Sequence, residues 1–235
     1  MIVAEVGLNH LGSVTKLINF INVINKSNVD AITFQIIKKD FFIKNGLTKY
    51  YINKTKLLNT IFKYTKKKVG LVVDEGDSDL EKFKKKIFFF KVLGSQAHNL
   101  FLINSLLKIS KNIYISNKNI TKKTNSNLLN FIKKNKFVKL IHTQHRTEEK
   151  YSKLQEITLS SKITGESTSF GLHCHNKNII LLSIFYNPES IFFYIKDNDD
   201  KDYPDDLWAI KLGAVENLVN DINWFKNNAK LVLKI

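Results

Sequence analysis

The sequence predicts an α/β fold, and within that class a single (β/α)8 TIM barrel covering residues 1–235 as one domain. Three observations lead there. Eight short, nearly continuous apolar runs suit strands buried on both faces of a parallel sheet. Segments of helical spacing separate them, and right-handed crossovers then leave an open doubly wound sheet or a closed barrel, with eight units favouring closure. Prolines number two and glycines nine, so no Pro/Gly/Ser-rich linker divides the chain.

The expected strands, in order, are Ile2 to Gly7, Asp30 to Gln35, Val69 to Asp74, Phe88 to Ser95, Asn112 to Asn117, Val138 to Gln144, Ser169 to Cys174 and Ile191 to Lys196. Helical spacing is clearest at Lys16 to Lys26, Asp79 to Ile87, Leu100 to Ile109 and Val215 to Phe225. The acidic run DNDDKDYPDD, Asp197 to Asp206, lacks the glycine and final glutamate of an EF-hand loop. It reads as a solvated loop capping a last helix that starts near Leu207, with Asp206 within reach of the barrel mouth.

Composition narrows the function classes. Cys174 is the lone cysteine, which excludes an internal disulfide framework and suits a reducing, cytoplasmic setting. No apolar run approaches the roughly 20 residues that span a bilayer, so no membrane role is expected. A formal charge of +16 invites nucleic-acid binding, yet Arg146 is the one arginine among 37 basic residues. Arginine is the residue that reads phosphate and base edges bidentately, so the lysine runs at Lys63 to Lys68 and Lys133 to Lys136 read as solvated faces.

Barrel chemistry sits where strands end, and several polar residues fall at that level. The first strand carries Glu5 and breaks at Gly7 into a turn with Asn9 and His10, a candidate site wall. An acid inside an apolar strand needs a partner or a shifted pKa, and Glu5 reads either as a site residue or as a salt bridge in the barrel bottom. All six histidines, at positions 10, 98, 142, 145, 173 and 175, lie within or just after strands one, four, six and seven. His173 and His175, two apart on a strand, would point the same way and offer two imidazoles to one cation, or else bond a neighbouring loop. His142 is expected to point into the barrel, His145 to sit nearer its rim, and His98 to line the site or cap a helix. Gln35, Ser95, Ser116 and Asn117 recur at strand ends and suit phosphate or carboxylate oxygens.

With those residues in place, the chain resembles the barrel domain of the N-acetylneuraminate (sialic acid) synthase family, which includes the pseudaminic and legionaminic acid synthases. The strongest segments are AEVGLNHLGS, Ala4 to Ser13, and DAITFQ, Asp30 to Gln35. LGS at Leu93 to Ser95, IYIS at Ile113 to Ser116, LIHT at Leu140 to Thr143 with Tyr151 beyond, and GLHCH at Gly171 to His175 follow in order. The resemblance implies condensation of phosphoenolpyruvate with an N-acylated hexosamine, assisted by divalent manganese or magnesium and releasing phosphate. It implies catalytic roles for Glu5, Gln35 and Asp206, and metal ligation by His175; His173, a departure from the family pattern, is expected to supply the second imidazole. Substrate contacts fall on Asn9, His10, Ser95, Ser116, His145 and Tyr151.

Departures accompany the likeness. The family's second metal histidine aligns with Ile195, and the lysine before the second-strand glutamine aligns with Thr33. The lysine before LGS aligns with Val92, which leaves Lys91 one position away and on the opposite strand face. An asparagine after strand six becomes His145, a glutamate after Ser95 becomes Ala97, and His173 replaces a serine. The family continues into an antifreeze-like cap that acts across subunits; no such module is expected within the 235 residues, and a homodimer stays open. The alternative reading is a catalytically weakened barrel that binds a sugar or a partner synthase.

Overall fold

The computed structural model describes residues 1–74, 78–117, 126–144, 148–199 and 201–232; for residue 78 and residues 229–232 only the backbone is described. Eight parallel strands close on themselves: β1 (Ile2–Glu5), β2 (Ala31–Ile36), β3 (Lys68–Val73), β4 (Ile87–Val92), β5 (Ile113–Asn117), β6 (Val138–Thr143), β7 (Ser169–Gly171) and β8 (Ile191–Lys196). β1 pairs with β2 on one side and with β8 on the other, which completes the barrel. The α-helices are α1 (Val14–Lys26), α2 (Lys39–Lys44), α3 (Lys54–Tyr64), α4 (Leu100–Leu107), α5 (Ser126–Lys134), α6 (Gln155–Thr164), α7 (Asn178–Ser183) and α8 (Val215–Val232). All lie outside the sheet, as right-handed crossovers between parallel strands require.

Alternation along each strand divides the core in two. Outward residues such as Ala4, Ile32, Phe90 and Phe193 pack against the buried stripes of the helices, including Leu17, Phe20, Ile21 and Ile24 of α1. Inward residues Val3, Ala31, Phe89, Tyr114, Ile141 and Phe192 form a separate plug inside the barrel. Its rings meet edge to face, Phe89 with Tyr114 at 5.2 Å and Tyr114 with Phe192 at 5.4 Å between centroids, the geometry aromatic quadrupoles favour. Gly70 makes room, because a Cβ there would overlap the Phe89 ring. Below the plug, the Met1 ammonium donates to the Glu189 carbonyl at 2.8 Å, and the Glu189 carboxylate pairs with Lys139.

Four local expectations are corrected. Asp79 to Ile87 is a 3-10 helix (Ser78–Phe83) followed by a turn, because the apolar run from Ile87 is already in the sheet. The seventh strand stops at Gly171, where the ladder with β6 ends, so His173 to His175 lie in a bend. The last helix begins at Val215 rather than near Leu207. Leu207 is 64% exposed, and Ile210–Lys211 first form a short strand, β9, alongside the end of β8. His142 faces outward: it pairs in register with Phe170 of the outer core, and its Nε2 donates to the Ser152 carbonyl at 2.7 Å.

Candidate active site

One step above the aromatic plug, the inward positions become polar. Register places Glu5 beside Thr33 on β2 and beside Tyr194 on β8. Lys91, two residues beyond Phe89 on the same face of β4, reaches across the interior to both Glu5 oxygens, at 2.8 and 2.5 Å. The expectation that Lys91 turns away from the site is therefore wrong, because β4 presents Phe89 and Lys91 to the axis and Val92 to the helices. Both side chains are 2% exposed. The ammonium also lies 5.5 Å from the Phe192 ring centroid and 5.7 Å from that of Tyr194, so aromatic faces add to its compensation. Thr33 Oγ1 donates to Glu5 Oε2 at 3.4 Å. Of the two readings of Glu5, the salt bridge exists, but at the C-terminal half of the barrel rather than at its bottom.

The β1–α1 turn and the β8–β9 connection meet over this pair. Gly7, at φ +55°, lets the backbone pass beneath Asp205: a Cβ there would stand 2.5 Å from Asp205 Oδ2 and 2.8 Å from the Tyr194 ring. Asn9 stitches the two segments, its Nδ2 donating to the Ile195 carbonyl at 2.8 Å and its Oδ1 accepting from the Asp205 backbone N–H at 3.2 Å. Burial pushes the Asp205 carboxyl up to about 7, the Glu5 charge adds to the rise, and Lys91 and the Leu8 backbone oppose it. Burial likewise raises the Tyr194 phenol well above its ordinary range, with the Glu5 and Asp205 charges contributing. The cluster therefore holds a carboxylate, an ammonium, a protonated phenol and a carboxyl that titrates near neutrality.

The other expected site residues fall into separate places. His10 is buried, accepts from Gly12 N–H through Nδ1 at 3.0 Å, and is held neutral by burial, which lowers its pKa to about 4. It shares a small cavity with Gln35, Tyr50 and Lys54 on the β2–α3 side. Ser116 is buried, whereas Ser95 is exposed in a 3-10 turn. Asp206 is exposed and paired with Lys196 at 2.6 Å; its neighbour Asp205 is the acid that turns inward. Tyr151 is half-buried at the end of a 3-10 turn, with Lys150 over its ring. His145 lies outside the described residues.

The two candidate metal ligands diverge. His173 is buried between the rings of Tyr194 and Trp208, at 5.6 and 5.5 Å. His175 is exposed at the rim, with Nε2 3.6 Å from Glu149 Oε1. Because the strand has ended at Gly171, the period-two argument that would have aligned them does not apply. Among the described residues, no three His, Cys, Asp or Glu side chains gather around one point. The donors described thus do not make up a divalent-metal centre.

Sequence reasoning missed Asp205, Tyr194 and the inward turn of Lys91. The phase of β4 held the signal for Lys91, since FFFKV allows either face until a neighbour fixes the register. Two more polar atoms at this level, Thr143 Oγ1 and Trp208 Nε1, are buried with no hydrogen-bond partner among the described residues. Such groups keep hydrogen-bonding capacity that water or a ligand satisfies.

No family model matches the sequence, and no curated protein matches it by sequence. Solved structures do match by fold. An N-acetylneuraminic acid (sialic acid) synthetase from Leptospira borgpetersenii, solved with citrate, superposes at TM-score 0.82 over 97% of this chain and 84% of its own, at 17% identity. A spore coat polysaccharide biosynthesis protein from Bacillus subtilis gives 0.78 over 100% and 70%, at 15% identity. A truncated 3-deoxy-D-arabino-heptulosonate 7-phosphate synthase from Thermotoga maritima gives 0.73 over 97% and 87%, at 12% identity. The fold is that of an N-acetylneuraminate synthase-like barrel.

Proposed function

We propose that the chain is a divergent sugar-acid synthase that condenses phosphoenolpyruvate with the open-chain aldehyde of an N-acylated hexosamine. The observation that carries this reading is the convergence of Glu5, Lys91, Tyr194 and Asp205 at the C-terminal end of a barrel with this fold. In the reaction, C3 of phosphoenolpyruvate bonds to the aldehyde carbon, water adds at C2, and phosphate leaves the tetrahedral carbon. The aldehyde oxygen gains a proton. Asp205 is suited to supply it, being protonated below about pH 7 and fixed by Asn9. The Lys91 ammonium places positive charge where the carboxylate and phosphate approach, and Ser116, Trp208 and Thr143 offer hydrogen bonds to their oxygens. The divalent metal implied by the family resemblance finds no assembled ligand set among the described residues, so no step is assigned to it.

A second reading has its own observation. Lys91 and Glu5 satisfy each other with bonds of 2.5 and 2.8 Å. A pair closed in this way holds the barrel together and takes both charges away from a substrate, as in a barrel that only binds a sugar or a partner synthase.

Phosphate release from phosphoenolpyruvate, with and without manganese, against a panel of N-acylated hexosamines separates the two. Release that requires the sugar, yields the condensed 2-oxo acid by mass and falls in Asp205→Asn supports the synthase. No release from any sugar by a folded protein overturns it in favour of the binding barrel. His175→Ala in the same assay tests the rim histidine: activity that depends on both manganese and His175 assigns it to a metal.

A further inference from the structure

Lysine runs that read from the sequence as separate solvated faces converge at the end of the barrel opposite the candidate active site. The segments leading into β3, β4, β5 and β6 are TKKK at 65–68, KKK at 84–86, KISKN at 108–112 and KKNKF at 133–137; they hold eleven lysines and no Asp or Glu. These four strands are consecutive neighbours in the sheet, so their entry segments stand side by side along one half of the rim. The segments leading into β7, β8 and β2, residues 165–168, 187–190 and 27–30, carry Glu166, Glu189 and Asp30, against Lys26 and Lys162 in the helical turns just before them. Charge is therefore sorted by position around this end, which uniform lysine enrichment does not explain.

Ten of the eleven lysines are exposed, and Lys67 is half-buried with its Nζ donating to the Ser27 carbonyl at 2.6 Å. Among the described residues, none of the eleven stands in an ion pair. Glu81, the acid nearest to these segments in sequence, precedes Lys84 by three residues. Aromatic rings are the neighbours instead: Lys68 Nζ lies 4.5 Å from the Phe88 centroid, and Lys111 and Lys136 lie 5.5 and 5.6 Å from that of Phe137, itself 38% exposed. With neighbouring units packed roughly 8–10 Å apart, four of them spread the cations over roughly 25 Å, far wider than one small anion.

We propose that this half of the rim docks the protein on an anionic phospholipid surface, the barrel standing on its strand-entry end with the mouth facing away from the lipid. Lysine is a hydrated point charge on a flexible stem, which suits mobile headgroups that rearrange beneath it. The fixed phosphates and base edges of a nucleic acid reward the arginine fork, and these segments contain no arginine. Phe137 adds an exposed ring among the lysine stems, a side chain that the boundary between headgroups and acyl chains accepts. Asp197, Asp199 and Asp206 follow β8 at the opposite end, so repulsion from the same surface favours this orientation. The contact is peripheral, since no described helix is long and apolar enough to cross a membrane. It is independent of the synthase reading and holds whether or not the mouth is catalytic.

Co-sedimentation of the full chain with vesicles of phosphatidylcholine alone, and of phosphatidylcholine mixed with phosphatidylserine, tests this beside the anisotropy of a labelled duplex oligonucleotide in the same buffer. Lys84→Gln/Lys85→Gln/Lys86→Gln removes three charges from the rim. Lys44→Gln/Lys49→Gln/Lys177→Gln removes three exposed charges from the segments that follow β2 and β7 at the mouth end. All six positions are exposed, so both variants should keep the fold, and a thermal melt checks it. The expected result is binding to the serine-containing vesicles alone, weakened about tenfold or more by the rim variant and less than about twofold by the control. Equal losses in both variants would reduce the effect to overall charge and overturn the proposal. Absence of binding to the anionic vesicles would overturn it as well. Tighter binding to the oligonucleotide than to the vesicles would also overturn it and give the surface to nucleic acid.

Discussion

Replacing Lys91 with methionine isolates the role of the buried pair. At 2.5 to 2.8 Å and an effective dielectric of about 20, the gross attraction is roughly 6 kcal/mol. Much of that only offsets the cost of removing two charges from water, since both side chains are 2% exposed. Lys91→Met removes the compensation and leaves the Glu5 carboxylate with the Thr33 hydroxyl at 3.4 Å. The expected destabilisation is roughly 3–5 kcal/mol, or a fall in Tm of about 6–20 °C for a chain of this size. An unpaired buried Glu5 has a raised pKa, so it binds a proton in the folded state that the unfolded chain has already lost. The deficit therefore grows as pH rises, and should be larger at pH 8 than at pH 5. Glu5→Met/Lys91→Met, which replaces both charges with apolar groups, should regain most of the loss. Urea unfolding of the wild type, both single variants and the double variant completes a thermodynamic cycle. A cost below about 1 kcal/mol for Lys91→Met, or a double variant as unstable as the sum of the singles, would refute the reasoning.

Asp205→Asn should stabilise the protein at alkaline pH and do little near pH 4. The folded carboxyl is raised from 3.8 to about 7, so its contribution to stability is fully present below the unfolded value, is lost progressively as pH rises from there to about 7, and is gone above it. The ceiling is roughly 4 kcal/mol, lowered by the partial exposure of the residue, and thermal melts from pH 4 to 9 read it. Under the proposed chemistry, wild-type turnover should fall as pH rises through about 7, and Asp205→Asn should flatten that limb; an unchanged limb would remove Asp205 from the reaction. Gly7→Ala should displace Asp205 and strain a φ of +55°, lowering phosphate release more than tenfold while circular dichroism stays that of a barrel. Asn9→Ala leaves the buried Ile195 carbonyl and the Asp205 N–H without their partner and should cost about 1–3 kcal/mol in urea unfolding.

The barrel was legible because burial on both faces leaves continuous apolar runs, and each of the eight predicted strands overlaps an observed one. Strand ends were less legible. Ile2 to Gly7 and Ser169 to Cys174 remain apolar past the last ladder bond, so hydrophobicity alone overruns into the loops. Facing was the weakest inference. Period-two alternation says which residues share a face but not which face is inside, and a continuous run such as IFFFKV gives no contrast to choose by. Lys91 and His142 were both assigned the wrong side for this reason. Glu5, Asn9 and His10 were readable because polar groups interrupt an apolar strand and its turn. Asp205 was hidden by its five acidic neighbours in Asp197 to Asp206. Only the contact with Gly7 and the bond from its backbone to Asn9 separate it from Asp206.

The same geometry shifts acid–base capacity from imidazole to carboxyl. Histidine is the usual group for proton transfer near neutrality, and this chain carries six. Two of them do not serve that purpose here: His10 is kept neutral by burial, and His142 is turned outward and bonded to Ser152. His173 packs between two aromatic rings, and His175 stands at the rim against Glu149. Asp205, by contrast, stands beside the Glu5 charge and the Tyr194 ring with a pKa of about 7. A carboxyl in that range donates a proton as readily as a histidine would. It does so without adding positive charge to a mouth that already holds Lys91, and its neutral form is favoured by the neighbouring Glu5 carboxylate. The raised Asp205 carboxyl is thus owed first to burial, with the two charges of the pair beneath it acting in opposite directions, Glu5 raising and Lys91 lowering it. Breaking that pair should move the Asp205 titration as well as lower stability, whereas an ion pair of purely mechanical importance would change stability alone.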